Sequence, residues 1–125
     1  MNIFKQEEIV NWQFNRSKIM CFRVDDRLVF KQKGLIPFMP LSTVMEVPIE
    51  NSSDMHVLLQ SLKKIMATKK EPDTLFLSNT YELSVINWKT WSFTLKSVED
   101  NKKAQFHLDD MFLLIALFKR FKDLK

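Results

Sequence analysis

Residues 81–125 read YELSVINWKTWSFTLKSVEDNKKAQFHLDDMFLLIALFKRFKDLK, and this stretch decides the fold. Apolar and polar residues alternate along 91–98 and again along 103–108, which is the period of half-buried strands. Polar residues typical of turns separate these segments. Two aspartates that can cap a helix then precede Met111–Phe118, a run that is apolar at every position. We predict an antiparallel meander closed by a helix that is buried in the core or covered by a partner.

An earlier stretch follows the same plan. Strand-like segments between residues 18 and 49 lead to a cluster of Asn, Ser and Asp that can start a helix. The apolar stripe of that helix has helical spacing and consists of Met55, Leu58, Leu59, Leu62, Ile65 and Met66. We predict an α+β fold with antiparallel sheets and helices packed on them, in a single compact domain over 1–125. Within it, we predict two pseudo-repeated units of strands and a helix, at 16–70 and 71–125.

Composition excludes several classes of site. The chain has 125 residues, of which 46% are hydrophobic, enough for one compact core. Gly34 is the only glycine, so the glycine-rich loops that cradle nucleotide phosphates are excluded. Two histidines and one cysteine cannot provide the four ligands of a structural zinc site. We therefore expect no metal and no cofactor.

The residue types that carry out catalysis in enzymes have structural explanations in this sequence. Cys21 lies in the apolar run 19–22 and is interpreted as a buried thiol, since a nucleophile needs an electropositive, partly open site. His56 and His107 each lie beside a predicted helix start, where local hydrogen bonds account for them. Adjacent acidic pairs fall in turns, caps or the N-terminal segment. We interpret the chain as a binding protein and not an enzyme.

The sequence shows no export signal. Glu7 and Glu8 occupy the region where a signal peptide has basic residues. The longest apolar run, Met111–Phe118, is far shorter than the ~20 residues that span a bilayer. A single cysteine precludes an intrachain disulfide. We expect an intracellular, cytoplasmic location and no interaction with membranes.

The first predicted hairpin carries the excess positive charge. The net charge is +4, and the six basic residues between positions 16 and 33 are Arg16, Lys18, Arg23, Arg27, Lys31 and Lys33. A three-residue loop over 25–27 would pair Val24 with Leu28 and Phe22 with Phe30. That register places Phe22 on an apolar core face. The opposite face would carry Ile19, Cys21, Arg23, Val29, Lys31 and Lys33. A two-residue loop separates apolar from basic residues less well, so we predict the three-residue loop.

A localised basic surface near aromatic rings is typical of proteins that bind single-stranded nucleic acid, although it could also be an ordinary solvated strand face. Trp88 is the best candidate for stacking on a base, because it lies among polar residues in a predicted turn. Further candidates are Trp12, Trp91 and Tyr81. Of these, Trp91 shares its predicted strand face with Phe93 and is expected in the core. The first hypothesis is binding of single-stranded DNA or RNA by the six basic residues and Trp88.

Sheet-then-helix repeats of this kind resemble the Whirly and Pur-alpha-type folds, which bind single-stranded DNA or RNA on their sheets. The resemblance concerns the order of the elements. These residues contain no motif of either family, so no functional residue is transferred from them. The resemblance implies that a sheet would be the binding surface.

The second hypothesis is a protein-interaction module, such as an adaptor, inhibitor, secretion chaperone or immunity-type protein. Residues 34–41 form a predicted loop with two prolines and large apolar side chains, which must be covered by the core or by a partner. Seven methionines suit adaptable contact surfaces. The candidate partner-binding residues are Leu35, Ile36, Phe38, Met39 and Phe112. The same residues could mediate self-association, and low sensitivity to salt would distinguish this hypothesis from the first.

Overall fold

Two four-stranded antiparallel sheets and two helices form the fold. The computed structural model describes residues 11–34, 39–67, 75–77, 80–87 and 89–123. The first sheet contains, in spatial order, β1 (Asn11–Phe14), β2 (Ile19–Val24), β3 (Arg27–Gln32) and β4 (Ser42–Pro48). A 3-10 turn (Ile49–Asn51) joins β4 to helix α1 (Ser52–Ala67).

The second half has the same order of elements. These are β5 (Leu75–Leu77), β6 (Tyr81–Asn87), β7 (Ser92–Ser97), β8 (Lys103–His107), a 3-10 turn (Leu108–Asp110) and helix α2 (Met111–Lys122). The predicted α+β class with antiparallel sheets is therefore confirmed. The first sheet begins at Asn11, before the predicted unit boundary at residue 16, because β1 pairs along β2. That the two halves are related repeats within one domain stays a prediction.

Phenylalanine rings from both sheets meet inside the molecule. The ring centroids of Phe30 in β3 and Phe106 in β8 are 5.9 Å apart in an edge-to-face arrangement. Phe14 in β1 lies 6.3 Å from Phe30 and 5.6 Å from Phe106, again between ring centroids. All three side chains are fully buried. Aromatic pairs of this kind contribute about 0.5–1.5 kcal/mol each beyond the area that they bury. The two sheets thus share one core.

Each helix contacts the sheet of the other half. Helix α1 follows the first sheet but packs against β5 and β6, whereas α2 follows the second sheet and contacts β1. The helices also pack against each other. The predicted stripe of α1 is buried at its described positions, Met55, Leu58, Leu59 and Leu62. The side chains of Ile65 and Met66 lie outside the described part of the chain. This crossed packing ties the halves together.

Helix α2 is buried on one side only. Its buried residues are Met111, Leu114, Ile115, Leu117, Phe118 and Phe121. On the other side, Phe112 is 62% exposed and Leu113 is 37% exposed. The core therefore covers part of the apolar run at the start of this helix and leaves an apolar strip in solvent.

The hairpin of β2 and β3 has a two-residue turn, so the predicted three-residue loop is wrong. Val24 pairs with Arg27, and Phe22 pairs with Val29. Asp25 has a φ of 54°, a left-handed conformation that aspartate tolerates better than most residues. The tight turn therefore needs no glycine.

The shorter turn exchanges the two faces of β2, because successive residues of a strand point to opposite sides. The core side of the hairpin carries Ile19, Cys21, Leu28 and Phe30, all fully buried. Met20, Phe22 and Val24 lie on the outer face and not in the core. The other register would place Met20, Phe22 and Val24 in the core instead of Ile19 and Cys21, so the number of apolar side chains does not decide between the two. The two-residue turn, which the positive φ of Asp25 allows, fixes the register.

Hydrogen bonds at the two 3-10 turns link the halves. The carboxylate of Asp110 accepts from the Ser17 amide at 2.8 Å and from the Ser17 hydroxyl at 2.6 Å. The Ser17 hydroxyl oxygen in turn accepts from the His107 amide at 2.9 Å. Asn51 occupies the same position in the first 3-10 turn as Asp110 does in the second. It donates from its side-chain amide to the Tyr81 hydroxyl at 2.8 Å.

The link to Ser17 takes the place of the helix cap predicted for α2. Asp110 precedes the helix, but its backbone is already helical (φ −90°, ψ −1°) and its side chain makes no capping hydrogen bond; Oδ2 accepts from Ser17 instead. Asp110 is only 7% exposed. Burying a carboxylate costs free energy unless hydrogen-bond donors replace its water, and the Ser17 amide and hydroxyl provide two.

We expect the substitution Leu114→Asp to unfold the protein or nearly so. It would remove a fully buried side chain and place an unpaired charge in the core. The expected loss is more than about 4 kcal/mol of unfolding free energy, measured by urea denaturation followed by circular dichroism. Leu113→Asp, one residue earlier and exposed, should cost less than about 1 kcal/mol. A soluble Leu114→Asp protein with an unchanged unfolding midpoint would contradict the packing of α2.

We expect Asp110→Asn to cost about 1.5–3 kcal/mol of unfolding free energy, because the two bonds from Ser17 lose their charged acceptor. The matched control is Asp109→Asn, since Asp109 is exposed and adjacent. It should change stability by less than about 0.5 kcal/mol. If both variants lose the same unfolding free energy, the hydrogen bonds from Ser17 to Asp110 make no special contribution to stability.

Candidate nucleic-acid interface

The outer face of the first sheet mixes apolar and basic side chains. On β2 and β3 it carries Met20, Phe22, Val24, Arg27, Val29 and Lys31. Lys18 and Lys33 extend the same two strands, and the Lys33 amide donates to the Lys18 carbonyl at 2.9 Å. Lys33 follows Lys31 by two residues and so continues this side of β3. Lys18 ends the β1–β2 turn with a φ of 56° and lies at the same end of the sheet.

Four of the predicted basic residues gather at one end of this sheet. Arg16 and Lys18 belong to the turn between β1 and β2, and Lys31 and Lys33 lie at the adjacent end of β3. In the described part of the chain, the carboxylates that contact basic side chains are Glu46, with Arg27, and Asp109, with the His107 ring. None of the four therefore pairs with a described carboxylate. We refer to Arg16, Lys18, Lys31 and Lys33 as the basic cluster.

Arg23 and Arg27 lie at the opposite end of the sheet, beside the β2–β3 turn. Five residues of strand separate Lys18 from Arg23, about 16 Å at ~3.3 Å per residue. Arg27 donates from Nε to Glu46 Oε1 at 3.0 Å. The Arg23 guanidinium lies 5.8 Å from the centre of the Phe121 ring. Both arginines thus have partners within the protein, and the structure divides the predicted six-residue patch in two.

Phe22 lies on the outer face among the basic residues. Its side chain is half-buried, and Lys31 Nζ lies 5.4 Å from the centre of its ring. A cation over an aromatic ring at a partly exposed site contributes about 0.5–1 kcal/mol. The ring face that the ammonium group occupies is the kind of surface on which a nucleobase stacks. Phe22 therefore adds an aromatic surface to the basic cluster.

The aromatic residues predicted to stack on bases lie elsewhere. Trp88 is outside the described residues. Tyr81 is buried, which raises the pKa of its phenol and removes its ring from the surface. Trp12 is partly buried against the core. Trp91, expected in the core, is 40% exposed. Its φ of 54° turns the chain just before β7, and its Nε1 donates to Asp109 Oδ1 at 3.2 Å.

The predicted partner-binding residues belong to two parts of the molecule. Leu35, Ile36 and Phe38 lie outside the described residues. Met39, in the same loop, is 50% exposed. Phe112 is exposed on α2, and Lys63 Nζ of α1 lies 5.0 Å from the centre of its ring. The two helices therefore form a joint surface around Phe112.

A polar cleft of about 250 Å³ lies between the end of the first sheet and the second sheet. It is lined by Arg16, Ser17, Gln32, Thr90, Ser92, Gln105 and His107. Ser17 is bonded to Asp110, so the link between the halves also holds the two sides of the cleft together. None of the described lining residues carries a carboxylate. The cleft shares Arg16 with the basic cluster.

A larger cavity of about 500 Å³ lies at the other end, between the β2–β3 turn, the start of α1 and the end of α2. Its charged lining residues have both signs: Asp26, Arg27, Glu50 and Lys122. Arg27 is already paired with Glu46. This mixed lining favours neither anions nor cations.

The described residues contain no group of three or more His, Cys, Asp and Glu side chains that could hold a metal ion. Cys21 is fully buried, and loss of hydration raises the pKa of its thiol. The interpretation of Cys21 as a buried thiol is confirmed, and such a thiol is a poor nucleophile. Within the described ranges, the helices are too short or too polar to cross a membrane.

No family model, curated protein or solved structure matches this chain. The assignment of function therefore depends on the geometry described above.

Sequence reasoning missed Phe22 and the polar cleft. The predicted register assigns Phe22 to the core, whereas the structure places it outside. The available signal was the pair Asp25-Asp26, since aspartate tolerates the positive φ of a two-residue hairpin turn. The cleft has no local signal, because its lining residues come from both halves, from Arg16 to His107.

Proposed function

We propose that this protein binds single-stranded DNA or RNA on the outer face of its first sheet. The observation that supports the proposal most is the basic cluster, which pairs with no described carboxylate and whose Lys31 lies over the Phe22 ring. Proteins that bind single strands combine cations that contact phosphates with aromatic rings that stack on bases. The outer face of this sheet offers both within a few residues of each other.

Cations that pair with no described carboxylate distinguish this face from an ordinary solvated strand surface. Four neighbouring positive charges without carboxylates create a local positive potential that attracts a polyanion. Each phosphate contact releases counterions and contributes about −0.7 to the slope of log affinity against log salt for a single strand. Four contacts give a slope of about −3. A stacked base adds about 1–3 kcal/mol, so Phe22 would contribute as much as several phosphate contacts at moderate salt.

The order of elements supports the proposal by analogy. Four strands, a 3-10 turn and a helix occur twice, and this order resembles the Whirly and Pur-alpha-type folds named above. Those folds bind single strands on their sheets. The analogy supports a sheet as the binding surface, and it identifies no residue of the site.

We expect the triple variant Lys18→Ala, Lys31→Ala and Lys33→Ala to bind a labelled oligothymidylate more weakly than the unmodified protein. The slope of log affinity against log salt should become shallower by about 2, because three phosphate contacts are lost. Fluorescence anisotropy across a salt series measures both quantities. Single strands should bind more tightly than the matching duplex, since stacking on Phe22 requires an unpaired base.

The matched control removes three exposed basic residues from the helices, Lys64, Lys119 and Arg120, and therefore has the same net charge as the triple variant. Its salt slope should stay close to that of the unmodified protein. If the control and the triple variant lose affinity equally, net charge and not the basic cluster governs binding, and the assignment of this face is refuted.

We expect Phe22→Leu to weaken single-strand binding by about tenfold while leaving the salt slope unchanged, because it removes stacking and no charge. Phe112→Leu is the matched control, since Phe112 is also an accessible ring with a lysine over it. Its affinity for the strand should not change. Unchanged affinity in Phe22→Leu would show that no base stacks on this ring.

The surface around Phe112 favours a second candidate function, the binding of a protein partner. Phe112 and Val57 are 62% and 52% exposed, and Lys63 contacts the Phe112 ring. Burial lowers the pKa of His56 on α1, and the nearby Lys122 and Lys119 lower it further. These two lysines make the neighbourhood positive. An exposed apolar centre with a basic rim suits an acidic segment that has an apolar side. In the experiments above, absence of strand binding at low salt would favour this second function over the first.

A further inference from the structure

We propose that the polar cleft between the two sheets is a binding site for a phosphate group. The lining residues Arg16, Ser17, Gln32, Thr90, Ser92, Gln105 and His107 define it. For a nucleic acid, the ligand would be a terminal phosphate of the strand that lies on the first sheet. In that form the inference rests on the proposed function. The experiment below distinguishes a failure of phosphate binding in the cleft from a failure of strand binding on the first sheet.

Two donor groups at the cleft have N–H bonds that no described residue accepts. Arg16 has a guanidinium group with no described carboxylate partner. Gln105 donates from Nε2 to the Ser92 hydroxyl at 3.2 Å, which uses one of the two N–H bonds of that nitrogen. The second N–H of Gln105 is left for a ligand. A guanidinium group and an amide N–H at one cleft suit an oxyanion.

The histidine at the cleft provides a further donor. The Nδ1 atom of His107 accepts from the Asp109 amide at 3.1 Å. This contact favours the neutral tautomer with the proton on Nε2. An Asp109 carboxylate oxygen lies 3.5 Å from the same Nδ1, which has no proton to donate to it in this tautomer. The Nε2–H group makes no hydrogen bond to a described residue and can donate to a ligand.

The carboxylates nearest to the cleft are already engaged. Asp110 accepts two hydrogen bonds from Ser17. Asp109 accepts from the indole of Trp91. Because the described lining residues carry no carboxylate, a cation would find no countercharge, whereas an anion would find Arg16. Lys18 and Lys33 at the neighbouring strand ends raise the positive potential further.

The backbone around the cleft is held in place without a ligand. Gln32 donates from Nε2 to the carbonyls of Ser17 and Lys18, at 3.3 and 3.1 Å. The Ser17 hydroxyl bridges Asp110 and the His107 amide. These bonds fix the turn that carries Arg16 against the strand that carries His107. A preformed site loses less conformational entropy on binding than one that must be ordered.

A terminal phosphate fits this arrangement better than an internal one. It carries more negative charge and presents three free oxygens, whereas an internal phosphodiester presents two. Arg16 belongs to both the basic cluster and the cleft, so a strand lying on the outer face would bring its end to the cleft. The site would thus set the direction of the strand on the sheet.

The test compares oligothymidylates with a 5′-phosphate, with a 3′-phosphate and with neither, using fluorescence anisotropy on the full chain. We expect one phosphorylated form to bind about tenfold more tightly than the unphosphorylated strand. Arg16→Gln should abolish that gain. Arg120→Gln, which makes the same change on the exposed side of α2, should retain it. Both residues are exposed, so neither substitution should affect folding.

A second arm uses inorganic phosphate alone and follows the ring resonances of His107 by NMR. Phosphate should shift them in the unmodified protein and in Arg120→Gln, and much less in Arg16→Gln. If strands do not bind but inorganic phosphate shifts His107 in this pattern, the cleft is a site for free phosphate and the proposed function fails.

The opposite result would refute the cleft and leave the proposed function standing. Strands would then bind equally with and without a terminal phosphate, and inorganic phosphate would leave His107 unchanged. A gain from the terminal phosphate that persists in Arg16→Gln would also refute the cleft, because the phosphate would bind elsewhere. Absence of binding in both arms would refute both proposals.

Discussion

The edge-to-face contact between Phe30 and Phe106 is the interaction on which the rest of the structure depends. Each half is a four-stranded sheet with one apolar face, and such a face must be covered to be stable. The inner faces cover each other through these rings and Phe14. The helices then pack across the junction, each against the sheet of the other half. Neither half has a complete core by itself, so the two are expected to fold together.

Joining the inner faces leaves the outer face of the first sheet outside the core that the two sheets share. The two-residue turn of the β2–β3 hairpin brings Phe22 to that face, because Cys21 and Phe30 must share the core side. The same register keeps Lys31 on the outer face, with its ammonium over the Phe22 ring. The aromatic surface and the unpaired cations therefore lie together as a consequence of packing the core.

The junction of the halves also creates the polar cleft. Ser17 and Asp110 are 93 residues apart in the chain, and their two hydrogen bonds bring the β1–β2 turn against the end of β8. Arg16 and His107 reach the same cleft for this reason. The buried Asp110 carboxylate accepts hydrogen bonds from Ser17, and this contact positions the neighbouring Arg16 at the boundary between the two sheets. Stability and the candidate site depend on the same contact.

Local pattern was enough to predict most elements but not how they pair. The alternation of residues 92–97 and 103–107 predicted β7 and β8, and the stripe from Met55 to Leu62 predicted α1, because burial on one face imposes a period on the sequence. Periodicity failed at Trp91, where one positive φ moves the side chain off the strand face. It also failed for the first hairpin, since both registers give alternating faces and put Phe30 in the core, and only the two-residue turn, which pairs Cys21 with Phe30, decides between them.

The sequence by itself therefore determined the α+β class, the elements of the second half and the concentration of basic residues near the first hairpin. The tertiary structure alone decided that Arg16, Lys18, Lys31 and Lys33 gather at one end while Arg23 and Arg27 lie at the other. It also decided that Phe22 faces outwards and that Arg16 meets His107. The reason is physical: local periods depend on neighbouring residues, whereas the register and the docking of two sheets depend on contacts between residues far apart in the chain.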